Sequence, residues 1–282
     1  MSDIAIITDS TAYLPENFVA EYGIHVLPLK VIWGEESLDD NVDITPEAFY
    51  NRLSQSQDMP TTSQVTVGEF KVLFEKLHAE GKEILVIVLS SGISGTMASA
   101  ELAKADVPEA KIALVDSKTT IAEMAFIVLA AAKAVRDGAS LDECVAVVEK
   151  AKANSGVVFG VDTLEYLHRG GRIGGARKFL GTVLNIKPIL TLVDGKVAPL
   201  DQARTRRKSL NRLVEIVSER VKGKSNLRLG VSHANAAQDA QKLLDSAATR
   251  LNPTETMISE LSPVIGTHTG PGTIALAYSY ED

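Results

Sequence analysis

A single cysteine, Cys144, stands in a chain of 282 residues. That excludes an internal disulfide and a cysteine cluster for zinc, and it suits a reducing cytoplasm. Long apolar runs are missing as well. The longest uncharged run near the middle, Met124 to Ala132, has nine residues, against the roughly 20 that a membrane helix needs. Met1 leads straight into the strand-like Asp3-Ile-Ala-Ile-Ile-Thr8, with no basic and then apolar leader. The expectation is a soluble, cytoplasmic protein with no stable membrane insertion. Positive charge is in deficit: 29 Lys and Arg face 36 Asp and Glu, a net charge of -7, which argues against nucleic acid as a partner. The five histidines (His25, His78, His168, His233, His268) show no His-Glu-x-x-His pattern, so no metal site is expected. Neither glycine-rich loop carries a Walker lysine, and no strand is followed by G-x-G-x-x-G. No nucleotide cofactor is expected either.

Among what is present, 45% apolar residues at this length suffice for a real core, in two modest domains or one large one. The chain is organised around Ile84 to Thr96. Ile84-Leu-Val-Ile-Val-Leu89 reads as a strand buried on both faces of a parallel sheet, and Ser90-Ser-Gly-Ile-Ser-Gly-Thr96 turns it into a helix. Ser94 thus falls near a helix N-terminus, where unpaired backbone N–H groups favour an anion. Capping is the plainer role for Ser90, Ser91 and Ser94. The same strand, polar turn, helix layout occurs at Ile4 to Thr8 with Asp9-Ser10-Thr11, and the strand Lys111 to Val115 ends likewise in Asp116-Ser117. Loops at the carboxyl ends of parallel strands are where such folds place ligands, which makes Asp9 and Ser10 candidates beside their role as turn caps.

Ile24 to Ile32 reads as one extended segment interrupted by Pro28, and Gly34 to Asp43, with five acidic residues, as a surface flap. Met59 to Gln64 is a polar knot rich in hydroxyls. Thr66 with Glu69, and Ser140 with Glu143, are capping boxes that open helices. Ile121 to Val135 reads as an apolar helix ended by Gly138. After a strand at Val157 to Val161 the chain becomes glycine-rich and basic from Leu164 to Gly175. Asp194-Gly195 between two apolar runs predicts a hairpin turn with positive φ at both positions. The fold class is α/β in two parts, an N-terminal parallel-sheet domain, 1–157, and a C-terminal α/β domain, 158–282, that contains an antiparallel hairpin. The basic residues Arg169 to Lys178 and Arg204 to Arg212 offer a positive face for a protein partner.

Thr62, Ser63, Ser94 and His268 are neutral or weakly basic donors, and glycines near them allow close backbone approach. Such a set suits a carboxylate held in a dry site without a full counter-charge. A serine nucleophile is the competing chemistry: Gly92-Ile-Ser94-Gly95 approaches G-x-S-x-G with its second glycine one residue early, and His268 would be its base. That leaves a small acyl hydrolase or transferase as the alternative.

Several motifs together carry a family resemblance. Thr8-Asp9-Ser10-Thr11 with Leu14-Pro15, Thr62-Ser63-Gln64, Ser90-Ser91 through Ser94-Gly95-Thr96, Val115-Asp116-Ser117, Leu164 to Gly171 with Arg172, Asn185-Ile-Lys-Pro188 and Ile265-Gly to Gly272, in that order, resemble the DegV family. The resemblance implies a two-domain protein holding a long-chain fatty acid, such as palmitate, between its domains, with no other cofactor and no catalytic residue. It implies a carrier subunit that presents the carboxylate to a separate ATP-dependent fatty-acid kinase and keeps the acyl-phosphate for an acyltransferase. The implied carboxylate ligands are Thr62 and Ser94 with His268 nearby, and Ser63, Asp9, Ser10, Gly95 and Thr269 are secondary candidates. Arg172, with Arg169 and Arg204, would lie on the face that meets the kinase, where His168 departs from an expected basic residue.

Overall fold

The computed structural model describes residues 4–180 and 186–281. Asn185, quoted above for the family motif, lies outside them. In chain order the elements are β1 (Ile4–Asp9), α1 (Glu16–Tyr22), β2 (His25–Leu27), β3 (Lys30–Trp33), β4 (Glu36–Asp39), α2 (Pro46–Gln55), β5 (Thr61–Ser63), α3 (Val67–Ala79) and β6 (Glu83–Val88). There follow α4 (Thr96–Ala105), β7 (Ile112–Asp116), α5 (Ile121–Arg136), α6 (Leu141–Ala153), β8 (Ser155–Gly160), α7 (Glu165–Arg169), β9 (Lys187–Val193) and β10 (Lys196–Ala203). The last are α8 (Arg206–Arg220), β11 (Arg228–His233), α9 (Ala237–Leu251), β12 (Glu255–Glu260), α10 (Pro263–Thr269) and β13 (Ile274–Ser279).

Four parallel strands in the order β2-β1-β6-β7 form the first sheet. β6 is its centre: Ile84 to Val88 are all fully buried, as a continuous Ile/Val/Leu run without polar alternation requires. α3 and α4 pack on β6 and β7, and α5 and α6 cover β1, β6 and β7. The second sheet, β10-β9-β8-β13-β11-β12, is antiparallel except for its β11–β12 edge pair. Its strands alternate between two cores. Val157 and Phe159 face the core shared with α5, while Val158 faces the one beneath α8 and α9. α5 lies between the two sheets, touching β1 on one side and β8, β11 and β13 on the other. Hence it is buried from Ile121 to Leu129, apolar there except for Glu123, whose carboxylate accepts from Thr119 and Ser155.

Four expectations change. The segment 24–32 is two strands in two sheets: β2 ends at Leu27, Pro28 supplies no N–H to continue the ladder, and β3 starts a separate antiparallel sheet, β4-β3-β5. Gly34 to Asp43 lies at the surface as expected, but as an ordered strand: β4 pairs with β3, and Asp40 alone of the segment is buried. The hydroxyl knot at Thr61 to Ser63 is strand β5. The division expected at 157/158 falls inside β8. The predicted hairpin is present, with φ of 50° at Asp194 and 77° at Gly195.

Candidate functional site

The three-stranded sheet carries Thr62 to the site. Thr62 pairs with Val31 in the ladder, and α10 packs against β3 and β5, so the last turn of α10 comes up beside Thr62. There Thr62 Oγ1 and His268 Nε2 are 2.8 Å apart. Gly170 makes room for the ring: a Cβ at that position would lie 2.1 Å from His268 Nδ1. Nδ1 has no hydrogen-bond partner among the described residues. Burial, and secondarily the Arg172 guanidinium, push the His268 pKa down to about 4, so the ring is neutral at pH 7.

Ser94 comes from the turn after β6. Its hydroxyl accepts the Thr96 N–H at 3.2 Å and shares a 3.0 Å hydrogen bond with Thr96 Oγ1, so it partly caps α4, whose N-cap residue is Gly95. Gly95 faces Gln64, which a Cβ there would meet at 2.2 Å, and Gln64 Nε2 donates to Ser99 Oγ at 3.0 Å.

Thr62, Ser63, Ser94, His268 and Thr269 line one cavity of about 180 Å³. Its other walls are mostly apolar, drawn from the second large sheet, the segments that follow β2 and β6, and α10, among them Leu29, Leu89, Phe159, Leu192, Val197 and Ile265. Thr269 directs its hydroxyl back to Ile265 O at 3.1 Å, and Ser63 Oγ reaches only Gln64 O, at 3.5 Å. Asp9 and Ser10 do not line this cavity. They stand behind it, Asp9 Oδ2 accepting the Leu89 N–H at 2.7 Å and Ser10 Oγ the Leu29 N–H at 3.1 Å.

Arg172 is the one lysine or arginine among the lining residues. Its Nε donates to Ile93 O at 3.0 Å and Nη1 to Gly170 O at 2.8 Å, and among the described residues it has no carboxylate partner. The head of the cavity therefore carries a full positive charge, contrary to the expectation of neutral donors alone. Thr62, Arg172 and His268 also line a second hollow of about 270 Å³ together with Pro60, Thr61, Tyr166 and Arg169. The polar group is thus shared between an apolar cavity and a neighbouring hollow whose lining includes the exposed Thr61 and Arg169. Arg169, exposed, pairs with Glu165, while Arg204 lines a different hollow with His168. Within the basic run 204–212, Arg206 pairs with Asp239 and Arg212 with Asp201 and Glu215.

The geometry does not assemble a serine relay. His268 Nε2 meets Thr62 rather than Ser94, and no acid orients the ring through Nδ1. Nor do the described residues hold any group of three His, Cys, Asp or Glu fit for a metal. Two lining residues went unread in the sequence. Thr120, buried, has no partner for Oγ1 among the described residues. Ile121 adopts φ 52°, a conformation that costs a β-branched residue about 1–3 kcal/mol. Neither leaves a composition or spacing signal.

A family model described as "Uncharacterised protein, DegV family COG1307" matches residues 3–281. The chain belongs to the DegV family. A DegV domain-containing protein, BH3627, of Halalkalibacterium halodurans is 39% identical over 282 residues, with both chains covered in full. Among solved structures, a Thermus thermophilus DegV family protein described by its fatty acid binding superposes on this DegV-family chain with a TM-score of 0.94 at 32% identity, covering 100% of each. DegV of Bacillus subtilis, described as a fatty acid binding protein, gives 0.92 at 32% identity over 100% of each chain. These neighbours share the mixed α/β architecture with its parallel N-terminal sheet. Among the described residues no helix is long and apolar enough to cross a membrane.

Proposed function

We propose that this chain is a carrier for a long-chain fatty acid, palmitate or similar, which it presents to a separate ATP-dependent kinase. The observation that carries the reading is the shared wall: Thr62, Arg172 and His268 border both an apolar cavity and a second hollow that includes the exposed Thr61 and Arg169. An acyl tail belongs in the apolar part, where each buried methylene contributes about 0.8 kcal/mol. The carboxylate belongs at the wall, accepting hydrogen bonds from the Thr62 and Ser94 hydroxyls, with His268 Nε2 donating to Thr62 Oγ1 behind it and the Arg172 charge beside it. The parts of the chain before and after the start of β8 act as the two lobes that enclose it. Fatty acid binding by the Thermus and Bacillus relatives supports the same assignment.

From the side of the second hollow a carboxylate oxygen can attack the terminal phosphorus of ATP held by the partner, giving an acyl-phosphate and ADP. Such a role needs no nucleophile in this chain, and the mixed anhydride then passes to an acyltransferase. Arg169 and Arg172 line that hollow, where a kinase would dock, and Arg204 lines a different one.

The test is native purification, solvent extraction and mass spectrometry of the co-purified lipid. About one equivalent of fatty acid is expected, and Thr62→Val or Ser94→Ala should weaken its binding about tenfold to a hundredfold, the equivalent of 1–3 kcal/mol for a hydrogen bond to a buried charge. A protein that carries no lipid and takes up none when it is added overturns the carrier reading.

A further inference from the structure

We propose that the hollow beside the head of the His268 cavity is a subsite for a phosphoryl group, so that the chain holds an acyl-phosphate by both ends and prefers it to the free fatty acid. This rests on the carrier reading for the acyl tail and assigns the head group that goes with it. The hollow measures about 270 Å³, and Thr62, Arg172 and His268 line both it and the apolar cavity. Thr61, Tyr166 and Arg169 belong to the hollow alone.

Charge decides what the hollow accepts. Two guanidinium groups, Arg169 and Arg172, line it, and among the described residues no aspartate or glutamate lines either the hollow or the cavity. His268 adds no charge at pH 7, since burial first and Arg172 second push its pKa down to about 4. A fatty carboxylate carries one negative charge, which Arg172 alone can balance. Arg169 is then a second cation with no counterpart on the free acid. A phosphoryl group, with a charge of about -1.5 to -2 at pH 7 and three acceptor oxygens, engages both.

Both cations are open to such a group. Arg172 is anchored through two donors, Nε to Ile93 O at 3.0 Å and Nη1 to Gly170 O at 2.8 Å, while its Nη2 donates to none of the described residues. Arg169 is held more loosely. Its one ion pair, to Glu165 at 2.5 Å, joins two side chains that are 57% and 53% exposed. Exposed pairs of this kind contribute little to stability, so turning the guanidinium from Glu165 to a bound dianion costs little. With the phosphoryl group between the two arginines, the carbonyl of the anhydride lies at the shared Thr62 wall and the tail in the apolar cavity.

The experiment is competition binding to the delipidated full chain, with dodecyl phosphate as a hydrolysis-resistant stand-in, dodecanoate matched to it in carbon number, and inorganic phosphate alone. At about pH 8 dodecyl phosphate is expected to bind about tenfold tighter than dodecanoate, and inorganic phosphate at about millimolar concentration to compete with neither. Arg169→Gln should weaken dodecyl phosphate about tenfold and leave dodecanoate within about twofold, whereas Glu165→Gln, which releases Arg169, should tighten dodecyl phosphate alone. The preference should also shrink as pH falls from about 8 to about 5.5, where the phosphoryl group takes its second proton. Equal affinity for the two lipids, an Arg169→Gln variant that binds both as before or weakens both equally, or inorganic phosphate that competes as well as dodecyl phosphate each overturn the subsite and leave the carrier reading standing. Failure of both lipids to bind overturns the carrier reading and the subsite with it.

Discussion

β1 and β6 lie side by side in parallel register, and each ends in a short polar turn at the same edge of the sheet. The first turn closes on itself. Asp9 satisfies two groups of Thr11 and reaches across to the Leu89 N–H, while Ser10 is held between Asp40 and the Leu29 N–H. The second turn keeps Ser94 on the cavity wall, its hydroxyl engaged only with Thr96. Two turns of similar composition thus do different work, and the difference is how many of their polar groups the backbone has already claimed. The carboxyl end of a strand says where a ligand site is worth seeking; the hydrogen-bond count says which turn has anything left to offer.

The largest effect that would break this comparison is on stability. Asp9→Ala leaves the buried Leu89 and Thr11 donors without their acceptor, and should cost about 3 kcal/mol or more in urea unfolding. The folded fraction should still carry its normal lipid load. A variant with unchanged stability and an empty cavity would reverse the roles assigned to the two turns.

A smaller effect separates the regions by pH. Burial raises the Asp9 carboxyl to about 6 against the hold of Thr11 and the Leu89 N–H. Asp40 is also raised to about 6, by burial first, with Ser10 and Ser262 holding it down and Asp9 pushing it up. Both bind protons more tightly in the folded chain, so stability rises as pH falls through about 6 toward their ordinary value of 3.8. His268 has the opposite sign. With its folded pKa at about 4 against 6.5, the unfolded chain takes the proton first, and stability is lost as pH falls below 6.5. His268→Gln removes that opposition. Between about pH 7.5 and about pH 5 its unfolding free energy should rise by about 2 kcal/mol more than that of the unaltered chain. Identical pH dependence in the two proteins would mean that the ring titrates freely in solvent.

The smallest effect sharpens the contrast within the site. Ser63 borders the cavity yet makes only a 3.5 Å contact with Gln64 O, so Ser63→Ala should change stability by no more than about 0.5 kcal/mol. Its lipid affinity should stay within about twofold of the parent. A loss as large as that of Ser94→Ala would move the head group toward β5.

Much of the frame was legible because local rules and tertiary packing agree. The capping boxes at Thr66 and Ser140 form with both reciprocal bonds, the Asp194-Gly195 turn takes its demanded φ values, and the apolar run at β6 is buried throughout. The three-stranded sheet was not legible. Its strands are three or four residues long, and β4 and β5 are polar and half open, with no period to read. α10 was equally hidden, since a stretch with two threonines and a glycine has little helical preference. Packing imposes it: a Cβ on Gly266 would come within 2.3 Å of the Tyr50 hydroxyl oxygen. For the site, the donor types Thr62, Ser94 and His268 could be read from the chain. The arrival of Arg172 at the same wall could not, because it depends on the turn through Gly170 and Gly171, the latter with φ 72°.

The tip of the β9–β10 hairpin rests on the turn after β6. Ser90 donates to Gly195 O at 2.8 Å, a Cβ on Gly92 would stand 2.5 Å from that same oxygen, and one on Gly195 would stand 2.1 Å from Ser90 Oγ. Positions 92 and 195, far apart in the chain, are therefore one unit of heredity. A side chain at either lifts the hairpin that brings Leu192 and Val197 to the cavity, and a second side chain at the other cannot make amends. In a library of random variants these two glycines should vanish together from the survivors' list of changeable sites, each for a reason that is visible only at the other.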